Sequence, residues 1–170
     1  QALVAYLALH RQMACSRRQV AAALWPETID AQALKNLRTL IARLRQVLPA
    51  VDQLLVMTAQ SLQWRSDVET VLDVAHFQAA AQQALSASQY DKAAAIGYCE
   101  TAVEFYTADL LPAVYDEWLV PLREQLRLEY LAVLNLLSSL LEQTGRDSAA
   151  IVATERWVRA DPGNEAGYVR

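Results

Sequence analysis

Residues 31–48 narrow the possible folds further than any other segment, because the run AQALKNLRTLIARLRQVL contains no helix breaker. Apolar side chains recur in it at the three- and four-residue spacing of a buried helix face: Leu34, Leu37, Ile41, Leu44 and Leu48. The opposite face carries amide, hydroxyl and basic side chains: Gln32, Lys35, Asn36, Thr39, Arg43 and Gln46. The segment is predicted to be one amphipathic helix that leaves a basic, amide-rich face exposed.

This exposed face has the chemistry of a DNA-recognition surface. A guanidinium or amide group can make two hydrogen bonds to one base edge, and the small Ala42 lets the helix approach DNA closely. Arg38 and Arg45 flank the apolar stripe, at angles from which long side chains reach phosphates. Basic helix faces are also common on proteins that bind no nucleic acid, so an ordinary solvated helix is the alternative interpretation.

Charge is divided unevenly along the chain. Residues 1–65 contain 8 basic and 3 acidic residues, a net charge of +5, whereas residues 66–170 contain 7 basic and 16 acidic residues, a net charge of −9. The overall charge of −4 argues against a polyanionic ligand, but the basic charge is concentrated around the predicted amphipathic helix. In a chain of 170 residues this break favours two domains, residues 1–66 and 67–170.

Composition disfavours several function classes. Four glycines and no glycine-rich loop leave no cradle for a nucleotide phosphate, and no nucleophile motif is present. Cys15 and Cys99 stand far apart, and His10 and His76 are isolated, so neither a disulfide framework nor a metal site is expected. No apolar run is long enough to span a membrane. We expect a cytoplasmic protein that is not an enzyme and uses no cofactor.

Local signals predict a helix-turn-helix in the first domain. The expected order is a helix over residues 2–10, a connector over 13–15, a helix from Ser16 to about Leu24, and the basic helix over 31–48. Ser16 has the N-cap position of the second helix, with Gln19 at the capping-box position. Pro26 stops that helix and Pro49 closes the basic one. This order is typical of a helix-turn-helix.

A short hairpin is predicted to follow. Residues 53–58 and 61–65 are enriched in Leu, Val, Thr and Trp, and Ala59-Gln60 separates them. That hairpin would be the wing of a winged helix. Its turn lacks the glycine or Asn-Gly pair that two-residue hairpins favour, so an irregular linker is the alternative.

The second domain is predicted to be entirely helical. Helices are expected from Asp73 to about residue 85, over 89–106, from beyond Pro112 and Pro121 to 143, and over 147–160. Gly145 ends the third of these helices. Short turns between helices favour antiparallel hairpins. Across the Gly145 turn, one stripe of the third helix (Leu126, Tyr130, Val133, Leu137 and Leu141) could face residues of the fourth (Ile151, Ala153 and Val158).

Two segments resemble tetratricopeptide repeats. Residues 157–170, WVRADPGNEAGYVR, have a packing tryptophan, an Asp-Pro turn and a helix rich in small residues, and residues 90–106 have the small-residue spacing of a repeat's second helix. The aromatic residues Tyr115, Trp118 and Trp157 are predicted to pack inside such repeats and not to form a ligand cage. Three nearby acidic residues are open to two interpretations, a partner surface or charges at a helix start: Asp116, Glu117 and Glu124.

Nearly the whole chain resembles the Streptomyces antibiotic regulatory protein (SARP) type of transcriptional activator. In the first domain the matching stretches are residues 3–26, LVAYLALHRQMACSRRQVAAALWP, and 35–48, KNLRTLIARLRQVL. In the second domain they are residues 72–80, LDVAHFQAA, and 110–134, of which LLPAVYDEWL is the most specific. The resemblance implies a mainly α fold: a winged helix-turn-helix followed by a bacterial transcriptional activation domain of tetratricopeptide-like helices. Relatives begin with a small N-terminal sheet that this chain lacks, which implies a fragment or a shortened relative, and the last repeat is expected to be truncated as well.

The resemblance also implies a DNA site. Lys35, Asn36, Thr39 and Arg43 would face bases in the major groove, with Gln46 on the same face, and Arg38 and Arg45 would contact phosphates. Arg65 is the single basic residue of the predicted wing.

The leading hypothesis is a sequence-specific DNA-binding transcriptional activator, with double-stranded DNA as its partner. By resemblance, the helical module would contact RNA polymerase, regulate the protein or support a homodimer on repeated half-sites. The alternative is a helical-repeat scaffold that binds proteins and no DNA. A regulatory part of a larger ATPase is compatible with the first hypothesis.

Overall fold

The computed structural model of the chain describes residues 1–68 and 70–161. Its contacts divide the chain into two units. The N-terminal unit consists of Gln1–Thr70 and Val114–Trp118, and the C-terminal unit consists of Val71–Ala113 and the chain from Leu119 onward. The loop that links two helices of the second unit therefore contributes five residues to the first.

The N-terminal unit is built from four helices: α1 (Ala2–Leu9), α2 (Arg17–Leu24), α3 (Asp30–Val47) and α4 (Val51–Leu54). The predictions of the first three are confirmed to within one or two residues at each end. Their buried side chains form a core with one strand: Leu3, Leu7, Val20, Leu37, Ile41 and Leu62. Burial of these large apolar groups is what holds short helices together in water.

The start of α2 is set by a capping box, as predicted. The Gln19 backbone N–H donates to Ser16 Oγ at 3.2 Å, and the Ser16 backbone N–H donates to Gln19 Oε1 at 2.9 Å. Two amide groups that the helix cannot satisfy are thereby bonded. The helix ends at Leu24, two residues before Pro26.

A three-stranded antiparallel sheet completes the unit: β1 (Cys15–Ser16), β2 (Leu55–Met57) and β3 (Ser61–Trp64), in the order β1-β3-β2. The predicted hairpin is confirmed for β2 and β3, with Leu55 opposite Trp64. Its first strand begins later than predicted, because Gln53 and Leu54 belong to α4. The predicted connector over residues 13–15 is wrong at its end, since Cys15 pairs with Leu62.

The hairpin turns without glycine because a threonine closes it. Thr58 Oγ1 accepts hydrogen bonds from the backbone N–H groups of Gln60 at 3.2 Å and Ser61 at 2.9 Å. Hydroxyl side chains can replace part of the backbone hydrogen bonding of a tight turn in this way. The turn at Ala59-Gln60 therefore stands where it was predicted.

Up to residue 161, the C-terminal unit contains four helices: α5 (Asp73–Ala87), α6 (Lys92–Phe105), α7 (Leu119–Gln143) and α8 (Asp147–Ala160). Each helix packs against the next one along the chain. The core they enclose is rich in alanine, with Phe77, Leu134 and Cys99 among its largest fully buried side chains. Small side chains at these contacts let the helix axes come close together.

The helix ends differ from prediction at three places. Asp73 is the first residue of α5 and not its cap, and its Oδ1 accepts from the neighbouring Val74 N–H at 2.7 Å. Asp91 caps α6, so this helix begins three residues after the predicted Gln89. Pro121 lies inside the first turn of α7, where its missing N–H costs nothing. The predicted end at Gly145 is confirmed, because its φ of 70° is left-handed.

The predicted contact between α7 and α8 is partly wrong. Leu126, Val133, Leu137 and Leu141 are buried and Tyr130 packs beside them, as expected. On α8, however, Ala150 and Ala153 are the buried residues, whereas Ile151 is 60% exposed. Of the predicted α8 stripe, Ala153 is therefore buried as expected and Val158 is half-buried, whereas the prediction for Ile151 is wrong.

The predicted packing of the aromatic residues is confirmed only in part. Trp157 packs against the core of the C-terminal unit. Trp118 packs edge-on against Tyr6 at a ring-centroid distance of 5.1 Å, but within the N-terminal unit and not between repeat helices. The prediction for Tyr115 is wrong, because its side chain is 89% exposed. Of the repeat-like segment 157–170, only residues up to 161 lie within the described structure. In the part that is described, no helix has the length and apolar character needed to cross a membrane.

Candidate nucleic-acid interface

Helix α3 buries one face and exposes the other, although Leu34, Leu44 and Leu48 of the predicted stripe are only half-buried. Ala33, Leu37 and Ile41 are buried. Lys35, Thr39 and Arg43, spaced four residues apart, are exposed and follow one another along the opposite side. The helix therefore offers a row of polar groups to a ligand while its other face holds the unit together.

The polar row is pre-ordered by local hydrogen bonds. Asn36, half-buried, accepts a hydrogen bond on Oδ1 from Gln32 Nε2 at 2.9 Å. Thr39 Oγ1 donates to the Lys35 carbonyl oxygen at 3.1 Å. Within residues 1–68 and 70–161, no ion pair involves Lys35 or Arg43. Gln46 is exposed further along the same helix. Of the groups predicted to face bases, Lys35 and Arg43 are thus exposed cations without a described ion pair, whereas Asn36 and Thr39 are hydrogen-bonded within the helix.

A groove of about 750 Å³ lies beside this helix, between the start of α2, α3 and the hairpin turn. Its floor is apolar, with Leu34, Ile41 and Ala42, and the hairpin contributes Ala59 and Gln60. Four arginines line it: Arg17, Arg18, Arg38 and Arg45. We call this concave surface the arginine groove. Such a concentration of guanidinium groups around a concave surface favours an anionic ligand.

Two of the four arginines are held by backbone carbonyl groups. Arg17 Nε donates to the Thr58 carbonyl at 2.9 Å, which ties α2 to the hairpin, and Arg38 Nε donates to the Leu34 carbonyl at 3.3 Å. These bonds leave the Nη groups of both residues for other partners. Arg38, predicted to contact phosphates, lines the groove.

The other two arginines are paired with carboxylates. Arg45 makes three hydrogen bonds to Asp52: Nε to Oδ2 at 3.0 Å, Nε to Oδ1 at 3.2 Å and Nη2 to Oδ1 at 2.9 Å. Chiefly through these hydrogen bonds, the pKa of Asp52 lies below its usual value and the pKa of Arg45 above it. Arg18 Nη2 lies 2.6 Å from Asp30 Oδ2. The predicted phosphate contact Arg45 thus already has an intramolecular anion on it.

Arg65 lies apart from this group. It follows β3, is half-buried, and its Nη1 lies 3.7 Å from Asp67 Oδ2. Its Nε is buried and has no hydrogen-bond partner among the described residues. The residues that line the arginine groove do not include it. The structure therefore brings together the predicted site residues of α3 but not the single basic residue of the predicted wing.

Sequence reasoning missed Arg17 and Arg18 as parts of the site. They stand directly after the N-cap of α2, and only the packing of α2 on α3 and of Ser16 on β3 carries them to the groove. The available signal was the pair of consecutive arginines at the start of a short helix that precedes a basic one.

The two cysteines are not among the residues that line the arginine groove. Burial raises the pKa of the Cys99 thiol to about 11, and burial also raises the pKa of Cys15. Both cysteines are free thiols. In the described ranges no group of three or more His, Cys, Asp or Glu side chains could hold a metal ion. Buried, protonated thiols are poor nucleophiles and poor metal ligands.

The architecture is that of a two-unit, mainly helical protein in which a small unit with a basic helix face is joined to a bundle of antiparallel helices. The sequence model of the bacterial transcriptional activator domain family matches residues 72–170, more than half of the chain. The chain belongs to this family. It is a family of regulatory domains and not of enzymes. A comparison with curated protein sequences finds no match.

Proposed function

We propose that this protein is a sequence-specific DNA-binding transcriptional activator, whose helix α3 enters the major groove. One observation carries the proposal: α3 exposes Lys35, Thr39 and Arg43 in a row, free of described ion pairs, in a unit attached to a bacterial transcriptional activator domain. The concentration of a net charge of +5 in residues 1–65 supports it further.

The dimensions of α3 suit this role. Its 18 residues extend over about 27 Å at the usual rise of an α-helix, and a major groove about 12 Å wide admits one helix. Lys35, Asn36, Thr39 and Arg43 would bind base edges, and Gln46 would extend this row. One arginine can make two hydrogen bonds to guanine, and one asparagine can make two to adenine.

The arginine groove would receive the sugar-phosphate backbone. Arg38 and Arg45 of α3 would contact phosphates from one side, and Arg17 and Arg18 of α2 from the other. Such contacts give affinity that falls steeply with salt and fix the register of the helix, while the base contacts select the sequence. Arg65 would contribute a contact from the hairpin side.

The C-terminal unit would act on a partner other than DNA. Residues 66–170 carry a net charge of −9, which opposes contact with phosphates. We infer a role in contacting RNA polymerase, in regulation or in pairing two copies on repeated half-sites, inside the cytoplasm. The exposed Tyr115, beside Asp116 and Glu117 in the loop that belongs to the N-terminal unit, would offer a second, amphipathic contact for a protein surface.

The test begins with selection of bound sequences from a random duplex library, followed by titration of the enriched duplex with the full chain. Arg43→Ala is expected to weaken binding by about 1 to 3 kcal/mol and to relax selectivity at one base position. Arg159→Ala, which removes the same exposed charge from the C-terminal unit, is the matched control and should leave affinity unchanged.

Equal affinity of the wild type and Arg43→Ala for the enriched duplex would remove Arg43 from the recognition surface. Failure to enrich any sequence, with no duplex binding at low salt, would overturn the proposed function. The helical-repeat scaffold without DNA binding would then be the better hypothesis.

A further inference from the structure

Two of the four guanidinium groups in the arginine groove are occupied by carboxylates of the same unit. Asp52, at the start of α4, binds Arg45 from the far end of α3, and Asp30, the first residue of α3, binds Arg18 of α2. Within residues 1–68 and 70–161, the side chains of Arg17 and Arg38 in the same groove bond only to carbonyl oxygens. The groove thus holds paired and unpaired arginines side by side.

The Asp52 pair occupies the part of Arg45 that a phosphate would use. Its carboxylate lies against the Nε and Nη2 edge of the guanidinium, with both oxygens bonded. Bidentate binding of a phosphate uses two parallel N–H donors of the same kind. A carboxylate and a phosphate oxygen pair are therefore in direct competition for this edge.

Both ion pairs are open to exchange. The side chains of Arg45 and Asp52 are 49% and 56% exposed, and those of Arg18 and Asp30 are 77% and 70% exposed. Exposed pairs of this kind contribute little to stability and are screened by salt, so they break readily. After exchange, however, the displaced carboxylate stays close to the incoming phosphate and repels it.

We propose that Asp52, assisted by Asp30, competes with DNA phosphates for the arginine groove and so weakens its contacts with the DNA backbone. This inference rests on the proposed function. Backbone contacts are independent of sequence and supply most of non-specific binding. The two carboxylates lower the affinity for every duplex, so the base contacts of α3 determine at which sequence the protein remains bound.

The test is a titration of a random-sequence duplex with the full chain at several salt concentrations. Asp52→Asn is expected to bind about two- to fivefold more tightly at low salt, since it removes one exposed carboxylate next to a phosphate site. Its affinity should also fall more steeply with salt, by about one additional phosphate contact. Asp30→Asn is expected to act in the same direction.

Glu27→Gln is the matched control, because it removes an equal charge from an exposed residue of the same unit outside the groove. Its effect on affinity should be clearly smaller than that of Asp52→Asn. In an Arg45→Gln background, Asp52→Asn should give no further gain, because the competed guanidinium is absent. Circular dichroism and thermal unfolding verify that each variant keeps the fold.

Three outcomes separate the claims. A wild-type protein that binds no duplex at low salt overturns the proposed function itself. Duplex binding that Asp52→Asn leaves unchanged or weakens, in a folded variant, overturns only the competition, and weakening would mean that Asp52 positions Arg45. A gain equal to that of Glu27→Gln reduces the effect to net charge and overturns it as well.

Discussion

The two units differ in what fills their cores. In the N-terminal unit the buried groups are mostly large and come from helices and strands alike, as with Leu7, Val20, Leu37 and Leu62. In the C-terminal unit many are alanines on facing helices: Ala80, Ala84, Ala87, Ala95, Ala102, Ala150 and Ala153. The stability of a core of large side chains depends on how completely they fill the interior. The stability of a core of small side chains depends on how closely its helices approach one another.

The surfaces differ in a matching way. Residues 1–65 carry the excess of positive charge and residues 66–170 the excess of negative charge. Within the N-terminal unit, one side of α3 can stay exposed because Leu37 and Ile41 on the other side are buried. The proposed binding surface and the packing surface are thereby separated by face within one helix.

The largest effect is expected from truncating the core of the N-terminal unit. Leu37→Ala removes a side chain with 0% exposure and should lower the free energy of unfolding by about 2 to 5 kcal/mol, measured by denaturant titration. Val47→Ala on the same helix, at 82% exposure, is the control and should cost less than about 0.5 kcal/mol. A comparable loss in both variants would contradict the assigned buried face of α3.

An intermediate effect is expected from enlarging a small residue in the C-terminal unit. Ala102→Leu places a large side chain at a position with 0% exposure on α6 and should cost about 1 to 3 kcal/mol through overpacking. Ala93→Leu, exposed on the same helix, should change stability by less than about 0.5 kcal/mol. If Ala102→Leu stabilised the protein, the helices of this unit would be packed less closely than described.

The smallest effect should appear only at alkaline pH. Burial, helped by Asp109, raises the pKa of Tyr106 from 10.0 to about 12. Because folding favours the protonated phenol, its contribution to stability is complete below pH 10 and is lost as the pH rises through about 12. Ultraviolet titration of the tyrosinates should show a late step that Tyr106→Phe removes. A titration curve unchanged by Tyr106→Phe would place that step elsewhere.

Much of the helical structure could be predicted because its signals are local. The capping box of Ser16 and Gln19, the stripe of α3 and the left-handed Gly145 each act within a few residues. The same holds for α8, whose bounds match the prediction. Such signals need no knowledge of the rest of the chain.

The missed features depend on residues far apart in sequence. Cys15 belongs to a strand only because β3, which follows α3 in the sequence, pairs with it. Arg17 and Arg18 join the candidate site through the same pairing, and Arg45 meets Asp52 only because α4 folds back after α3. The exposure of Tyr115 likewise depends on the path of the loop between α6 and α7, which no periodic pattern encodes.

Ser16 is at once the last residue of β1, opposite Ser61, and the cap of α2. The next residue binds the hairpin twice, through its backbone N–H to the Gln60 carbonyl at 2.9 Å and through its side chain to Thr58. No slack peptide separates strand from helix at this junction. A displacement of the hairpin tip is therefore transmitted to the start of α2, so that the hairpin and this helix move together.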